Sequence, residues 1–467
     1  MPSFYIENFG CRATAADAAA MERSLRNAGY TRAGERSAAD VVVLNTCTVT
    51  SAADAEARKS IRLAHDANPA AQIVVTGCYA QRAPEDLAQI TGVSLVVGNS
   101  HQSQLAELVG QTSTSVQPSD PGFVPLHAVA PSAGQPRMPV PRVVTGDVFD
   151  LKSVAVGLVD GDENDHTRPV LKIQDGCNNR CSYCIIPSVR GKSRSLAPHD
   201  VVSEINRLCA AGRKEIVLSG INLGAWGRDL TPRVELLDLL RRILRETPLE
   251  RLRLSSIEPM DLTQDLVDFV AAHPRMARHF HIPLQSGSDR VLAAMHRWYR
   301  TAHYAQRIEM IRQRIPGAGI GADLIVGFPG ETDEDHRATV ELVERLPFTY
   351  LHVFSFSARP GTAAARMLEQ SVAAAFRPAP AKHAVVSSFE VPPSVITERA
   401  RELRAIAARK SAAFRTAQSR EPLRVLTLHT RGADHRGPWT QAISDNYVTL
   451  RIPGSLPANH WMRSELS

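Results

Sequence analysis

Three cysteines, Cys177, Cys181 and Cys184, stand in the run LKIQDGCNNRCSYCIIP with the spacing C-x3-C-x2-C. Thiolates are soft ligands and the usual holders of iron–sulfur clusters. This spacing fits three irons of a [4Fe–4S] cubane and leaves the fourth without a protein ligand. An open iron can take a small molecule and pass it an electron; a cubane closed by four cysteines can only shuttle electrons. A zinc site would want a fourth ligand close by, and the first histidine after the run, His199, lies well downstream. The amine and carboxylate of S-adenosylmethionine can chelate an open iron. The reduced cluster then delivers an electron to the sulfonium, and the C–S bond breaks to give a 5′-deoxyadenosyl radical; the cofactor carries the hard step and the protein orients it. Tyr183, just before the third cysteine, is placed to shield such a cluster from water.

A second set is dispersed. Cys11, Cys47 and Cys78 stand in IENFGC, VVVLNTC and IVVTGC, each just past an apolar run that reads as a strand. In an open parallel sheet such strand ends share one edge, where sites form. Three thiols gathered there can bind a second cluster with one open iron. The seventh cysteine, Cys209, shares a helical face with Val202, Ile205 and Leu208 and reads as a buried structural thiol. An odd count in a large chain without a recognisable secretory signal argues against a disulfide framework.

The elements that position these residues follow from periodicity. SFYIEN, VVVLN, QIVVTG and SLVVG read as strands; 15–27, 52–67, 84–90 and 102–109 read as helices. Alternation of this kind implies a small parallel sheet with helices on both faces. From about Gln111 to Asp165 the pattern fades into Pro/Gly/Ser-rich sequence that reads as a linker, with one strand expected in VFDLKSVAVGLVDGDEND. From Pro169 the alternation resumes with VLKIQ, EIVLSG, RLRLSS, HFHIPL, IGADLIVG and YLHVFSF, six βα units that suit an open, three-quarter barrel. In such barrels the chemistry sits at the C-terminal strand ends, and the 177–184 run begins there. The Ala/Pro-rich stretch Leu368–Pro393 reads as another connection, followed by a basic helix and then short strands (LRVLTLHT, TQAISDNYVTLRIPG, NHWMRSE) that read as a small β-barrel.

Composition supports a globular chain of 467 residues with 43% hydrophobic and 22% charged residues. No apolar run is long enough to span a bilayer, so a cytoplasmic protein without membrane association is expected. The net charge of +6 is localised: from Ile396 onward there are 12 basic and 6 acidic residues, while the first 395 hold 42 of each. A localised basic module suits a polyanion such as RNA.

Taken in order, Gly10–Cys11, NTC at Asn45–Cys47, Gly77–Cys78, DGCNNRCSYCIIPSVRGKSRS, HIPLQSGSDRVL and GADLIVGFPGETDED resemble the radical S-adenosylmethionine methylthiotransferases over nearly the whole chain. LSGINLGAWGRDL, RLRLSSIEPMDL and MHRWYRTAHY are most similar to the subfamily acting on N6-threonylcarbamoyladenosine (t6A) in tRNA. Thr14 departs from the asparagine often found there.

The resemblance implies an α/β chain of three domains: a methylthiotransferase domain at 1–112, a linker at 113–162, a partial (βα)6 radical core at 163–394, a connecting helix at 395–415 and a TRAM-like RNA-binding barrel at 416–467. It implies two [4Fe–4S] clusters, a radical-generating one on Cys177, Cys181 and Cys184 and an auxiliary, sulfur-bearing one on Cys11, Cys47 and Cys78. S-adenosylmethionine serves twice, methylating the sulfur and yielding the radical that abstracts hydrogen from C2 of the modified adenosine. No side chain is expected to act as acid or base. Gly220 and Asn222 are expected at the methionine end of the cofactor. Ser256, Glu258 and Gln285 are expected at ribose or substrate, and Gly327 with Gly330 at a turn against the adenine. Arg190, Lys192 and Arg194 are candidates for tRNA phosphate or the cofactor carboxylate. Tyr447 and Trp461 are candidates for base stacking, with core packing favoured for Tyr447. The implied partners are tRNA, an electron donor of flavodoxin or ferredoxin type and a sulfur donor, and a monomer is expected. Isopentenyladenosine in tRNA and an aspartate of a ribosomal protein are the rival substrates; a non-catalytic iron–sulfur RNA-binding sensor is the rival of another class.

Overall fold

The computed structural model describes residues 1–113, 141–155, 167–375, 390–418, 422–435 and 437–465. It contains two compact units, one formed by 1–48 and 52–150, the other by 49–51 and 151–467. Most of the Pro/Gly-rich linker and the middle of the Leu368–Pro393 insert lie outside the described residues.

The first unit is built on six parallel strands: β1 (Ser3–Asn8), β2 (Thr31–Arg32), β3 (Val41–Thr46), β4 (Gln72–Gly77), β5 (Val93–Gly98) and β6 (Arg142–Val144), in the order β2-β1-β3-β4-β5-β6. β3 is apolar on consecutive residues because both its faces are covered. Val42 and Leu44 join Ile73, Val75, Ala57 and Ile61 on one side. Val41 and Val43 join Val74, Met21, Leu25 and Val109 on the other. The helix over 102–109 is instead a 3-10 turn at Asn99–Gln104 followed by a helix at Leu105–Ser113. β6 falls inside the stretch read as linker; VFDLKSVAVGLVDGDEND, where a strand is expected, opens with a 3-10 turn at Val148–Asp150, and its residues from 156 on lie outside the described residues. β6 is too short to leave a periodic signature.

The second unit carries β7 (Val170–Asp175), β8 (Arg194–Ser195), β9 (Glu215–Gly220), β10 (Arg251–Leu254), β11 (His279–His281), β12 (Gly319–Val326) and β13 (Tyr350–Ser355). β7, β9 and β10 are parallel neighbours, and β11, β12 and β13 likewise. Parallel bridges Leu252↔Met276 and Ser256↔His281 join the two groups, so six parallel strands curve into an open barrel; β8 adds an antiparallel edge at β7. Helices cover the outside. That at Leu236–Glu246 buries Leu236, Leu239, Leu240, Ile243 and Leu244, the spacing of a single apolar stripe. Each such side chain contributes roughly 1.5–3 kcal/mol over its exposed state. The connecting helix runs Pro393–Gln418, and the chain ends in β14 (Leu423–Asp434), β15 (Gly437–Ser444), β16 (Thr449–Pro453) and β17 (Trp461–Ser464). These form a curled antiparallel sheet ordered β16-β15-β14-β17 over Val425, Ala442, Val448, Leu450 and Ile452.

Cys209 corrects its expectation. Val202, Ile205 and Leu208 are buried as their spacing requires, but Cys209, one position further round the helix, is half-exposed. No helix among the described residues is long and apolar enough to cross a membrane.

Candidate radical-generating and auxiliary cluster sites

At the end of β7 the chain turns on Gly176, whose φ is +70°; a Cβ there would stand 2.0 Å from the Lys192 carbonyl oxygen, so only glycine fits. Cys177 N then donates to Gly191 O at 3.1 Å and Cys184 N to Cys181 O at 3.1 Å. The loop is clamped onto the chain after β11: Ser182 N donates to Met295 O at 3.0 Å, Ser182 Oγ to Ala294 O at 2.8 Å, and His296 Nδ1 lies 3.2 Å from Arg180 O. Tyr183 packs with Phe328, Val291 and Met295.

Burial, aided by the neighbouring thiols, pushes the Cys177 thiol up to about 11 and the Cys184 thiol up to about 12. A cation must displace those protons before the sulfurs become ligands. Two N–H groups already aim at sulfur: Asn179 N at 3.4 Å from Cys177 Sγ and Arg297 Nη1 at 3.3 Å from Cys181 Sγ. Sulfur-directed donors stabilise cluster thiolates, so the donor set fits a cubane. Arg297 also pairs with Glu258 and donates Nε to Tyr299 OH at 3.2 Å. Burial pushes the Glu258 carboxyl above its usual range, against the pull of Arg297. The sequence offered Arg297 only as part of MHRWYRTAHY, without a role.

Gln174, buried in β7, organises the neighbouring loop. Its Nε2 donates to Gly176 O at 2.8 Å and its Oε1 accepts from Asn222 N at 2.8 Å. A Cβ at Gly220 would stand 2.9 Å from Gln174 Oε1, so glycine also makes room for this side chain. Asn222 Oδ1 is buried without a partner, as is Ser255 Oγ. Orphaned acceptors cost about 1–3 kcal/mol each unless a ligand meets them; at the mouth beside the cysteine loop they fit a polar cofactor such as S-adenosylmethionine. Ser256 is partly exposed and bridges to His281. Gln285 holds φ +67°, pinned by its own N to Asp323 O at 2.8 Å and by Ile325 N to its O at 2.9 Å; a non-glycine residue in that region stores strain.

Gly327 (φ +78°) faces Ile396 of the connecting helix, 2.5 Å from a built Cβ, and its N donates to Glu331 Oε2. Gly330, φ +78°, completes the same turn. Two other expectations are corrected. Arg190 and Arg194 are buried against Asp175, at 3.1 and 3.6 Å, with Lys172 at 2.7 Å; Lys192 alone of the three is exposed. Trp461 is wedged between Arg251 and Arg424 with Nε1 on Glu250, so neither ring face is open for a base. Tyr447 (φ +72°) stacks on His279 at 4.4 Å, inside the second unit.

In the first unit, Asn45 pairs with Asn8 across β1 and β3, and Thr46 pairs with Gly77 across β3 and β4. Cys47 and Cys78 follow one residue past that second pair, and Cys11 follows three past Asn8. Gly10, φ +109°, lies against Cys47, whose Sγ would be 3.0 Å from a Cβ there. Asn99 Nδ2 stands 3.5 Å from Cys78 Sγ. Cys47 and Cys78 are buried and Cys11 exposed. Thr14 Oγ1 donates to Cys11 O at 2.7 Å and Asn45 Nδ2 to Thr14 O at 2.8 Å, so threonine serves this loop in place of the more common asparagine.

Residues 3–98 match the model of Uncharacterized protein family UPF0004, and residues 171–343 match the Radical SAM superfamily. A threonylcarbamoyladenosine tRNA methylthiotransferase MtaB of Bacillus subtilis is 36% identical over 371 residues, 79% of this chain and 77% of the relative. One of the same name from Aquifex aeolicus is 31% identical over 452 residues, 96% of each chain. This chain belongs to the radical S-adenosylmethionine methylthiotransferase family. A tRNA-2-methylthio-N(6)-dimethylallyladenosine synthase from Syntrophobacter fumaroxidans is 35% identical over 77% of this methylthiotransferase and 75% of its own length. Among solved structures, the radical S-adenosylmethionine methyltransferase TsrM of Kitasatospora setae, with tryptophan and aza-SAM bound, shares the fold at TM-score 0.57 and 18% identity, covering 88% of this chain and 89% of its own. The protein is thus a radical enzyme of the two-cluster class, using [4Fe–4S] clusters and S-adenosylmethionine.

Proposed function

We propose that the chain methylthiolates C2 of N6-threonylcarbamoyladenosine beside the anticodon of tRNA. The observation that carries this is the relative of that name from Aquifex aeolicus, similar at 31% identity over 96% of both chains. When bound, the clusters and S-adenosylmethionine supply the one-electron chemistry and the methylthio group.

The chain's own residues do the rest. Cys177, Cys181 and Cys184 hold the cluster that reduces the cofactor, and Arg297 steadies its sulfurs and Glu258. Asn222 meets the methionine end of the cofactor, while Ser256, Glu258 and Gln285 line the mouth for ribose or substrate. Cys11, Cys47 and Cys78 hold the sulfur-bearing cluster. The C-terminal sheet and its arginines attract tRNA phosphate. An electron donor of flavodoxin or ferredoxin type and a sulfur donor complete the cycle, in the cytoplasm. The test is anaerobic turnover on anticodon stem-loops carrying t6A or isopentenyladenosine, read by mass spectrometry of the nucleosides. A methylthio product from the t6A loop supports the proposal; product from the isopentenyl loop alone overturns it, in line with the Syntrophobacter relative.

A further inference from the structure

The inner face of β13 is unlike that of an ordinary edge strand. Val353, on the outer face, is buried, whereas Phe354 and His352, turned towards the barrel, are exposed by 47% and, for the side chain, 53%. The barrel is therefore open along its last strands, and what lines the opening is polar. Asp323 of β12 stands opposite His352, and the two oxygens of its carboxylate are taken by two imidazoles: His352 Nδ1 at 3.1 Å from Oδ1 and His281 Nε2 at 3.0 Å from Oδ2. His281 is itself oriented by Tyr350 OH, 3.1 Å from its Nδ1, and Tyr350 also lies 2.8 Å from His279 Nε2. The Tyr350 ring lies across Gly321, where any Cβ would come within 2.0 Å of it. His281 is spent within this chain of bonds. His352 is not: Asp323 fixes its Nδ1, and no described residue bonds its Nε2, which is left at the opening. Phe354 follows two residues further towards the C-terminal end of the same strand, with its ring 6.4 Å from that of His352.

We propose that His352, held by Asp323, reads the hydroxyl-and-carboxylate appendage of the modified adenosine, and that Phe354 offers a ring face to the base. This rests on the reading of the protein as a tRNA methylthiotransferase and settles which appendage its barrel accepts. A hydrocarbon appendage would strip water from His352 Nε2 and return nothing, since buried polar groups must be paired. A threonyl appendage ends in an anion and a hydroxyl. His352, with Asp323 behind it, can donate from Nε2 to the carboxylate as an imidazolium or accept from the hydroxyl when neutral.

The test is binding of anticodon stem-loops carrying t6A, isopentenyladenosine or unmodified adenosine to the cluster-loaded enzyme. The wild type binds the t6A loop tightest. His352→Leu weakens the t6A loop by roughly tenfold or more, the worth of one charge-assisted hydrogen bond, down to the unmodified loop, whose affinity stays. His352→Gln keeps part of the preference, and Phe354→Leu weakens all three loops. His352 lies half-exposed on an edge strand, and matching thermal unfolding curves check that its variants fold. A His352→Leu enzyme that still prefers t6A, or that loses all three loops equally, overturns the inference and leaves the broader reading intact. A wild type that prefers the isopentenyl loop overturns both. One zinc or cobalt ion per chain beyond the cluster iron, lost in His352→Leu, also overturns it by giving these three donors to a metal.

Discussion

Arg253→Met is the sharpest test of how the C-terminal sheet is held. Arg253 has no exposed side-chain surface. Its Nε meets Glu215 Oε1 at 2.7 Å, Nη1 meets Asp445 O at 2.8 Å and Nη2 meets Ser444 O at 2.9 Å. Methionine refills the stem but removes all three; the two given to carbonyls, each worth about 1.5–3 kcal/mol, leave their acceptors stranded. Glu215 keeps Arg251 at 3.2 Å and Arg168 at 3.4 Å, so it is not left alone. Allowing about 1 kcal/mol returned by the apolar side chain, the loss of those two bonds nets about 2–5 kcal/mol. For a unit of this size that lowers Tm by about 3–8 °C, read by anaerobic calorimetry or chemical denaturation. Glu215→Gln should cost at least as much, about 5 kcal/mol, because the buried Arg251 and Arg253 and the partly exposed Arg168 then lack their carboxylate. An Arg253→Met protein within about 1 kcal/mol of wild type would refute the network as the fastening.

Three further outcomes are expected. Replacing Cys177, Cys181 and Cys184 by alanine should halve the iron of the anaerobic protein, from about eight to about four per chain, and the same change at Cys11, Cys47 and Cys78 should remove the other half; iron and sulfide assays with Mössbauer spectra check both. Asn222→Ala should weaken S-adenosylmethionine binding roughly threefold to tenfold, by equilibrium dialysis, since a neutral hydrogen bond is lost. Burial alone would push the Asp175 carboxyl up, but Lys172, Arg190 and Arg194 override it and hold it well below the usual range. Its contribution is then fully present above the unfolded carboxylate value, near 4, and is lost as pH falls through the lower folded value. Asp175→Asn should therefore be less stable at neutral pH and show a flatter loss below about pH 5, in unfolding midpoints measured across pH.

The cysteines were legible because a cubane's demands are local: three thiols within eight residues, or three repeats of the same strand-end context. Strands such as VVVLNT and helices such as LLDLLRRILRE were legible because burial repeats along them. What was hidden is what depends on partners far along the chain. Arg190 and Arg194 look like free cations until Asp175 is seen between them, and Trp461 looks like a stacking platform until Arg251 and Arg424 close on its faces. His281, Asp323 and His352 come from three strands well apart in sequence, so no local pattern marks them as a set. Gly220 ends β9 and Gly327 follows β12, and the side chains that crowd them, Gln174 and Ile396, lie far from them in sequence.

The Asp445–Val448 turn has a consequence for how the polypeptide is made. Asn446 O packs against Gly319, Tyr447 lies on His279, and Arg253 waits for carbonyls some 190 residues downstream. A nascent barrel still lacking those last residues has a buried guanidinium satisfied by Glu215 alone, with its two carbonyl partners missing. Its final closure therefore belongs to the end of translation, and clipping off the tail leaves an unfinished catalytic core.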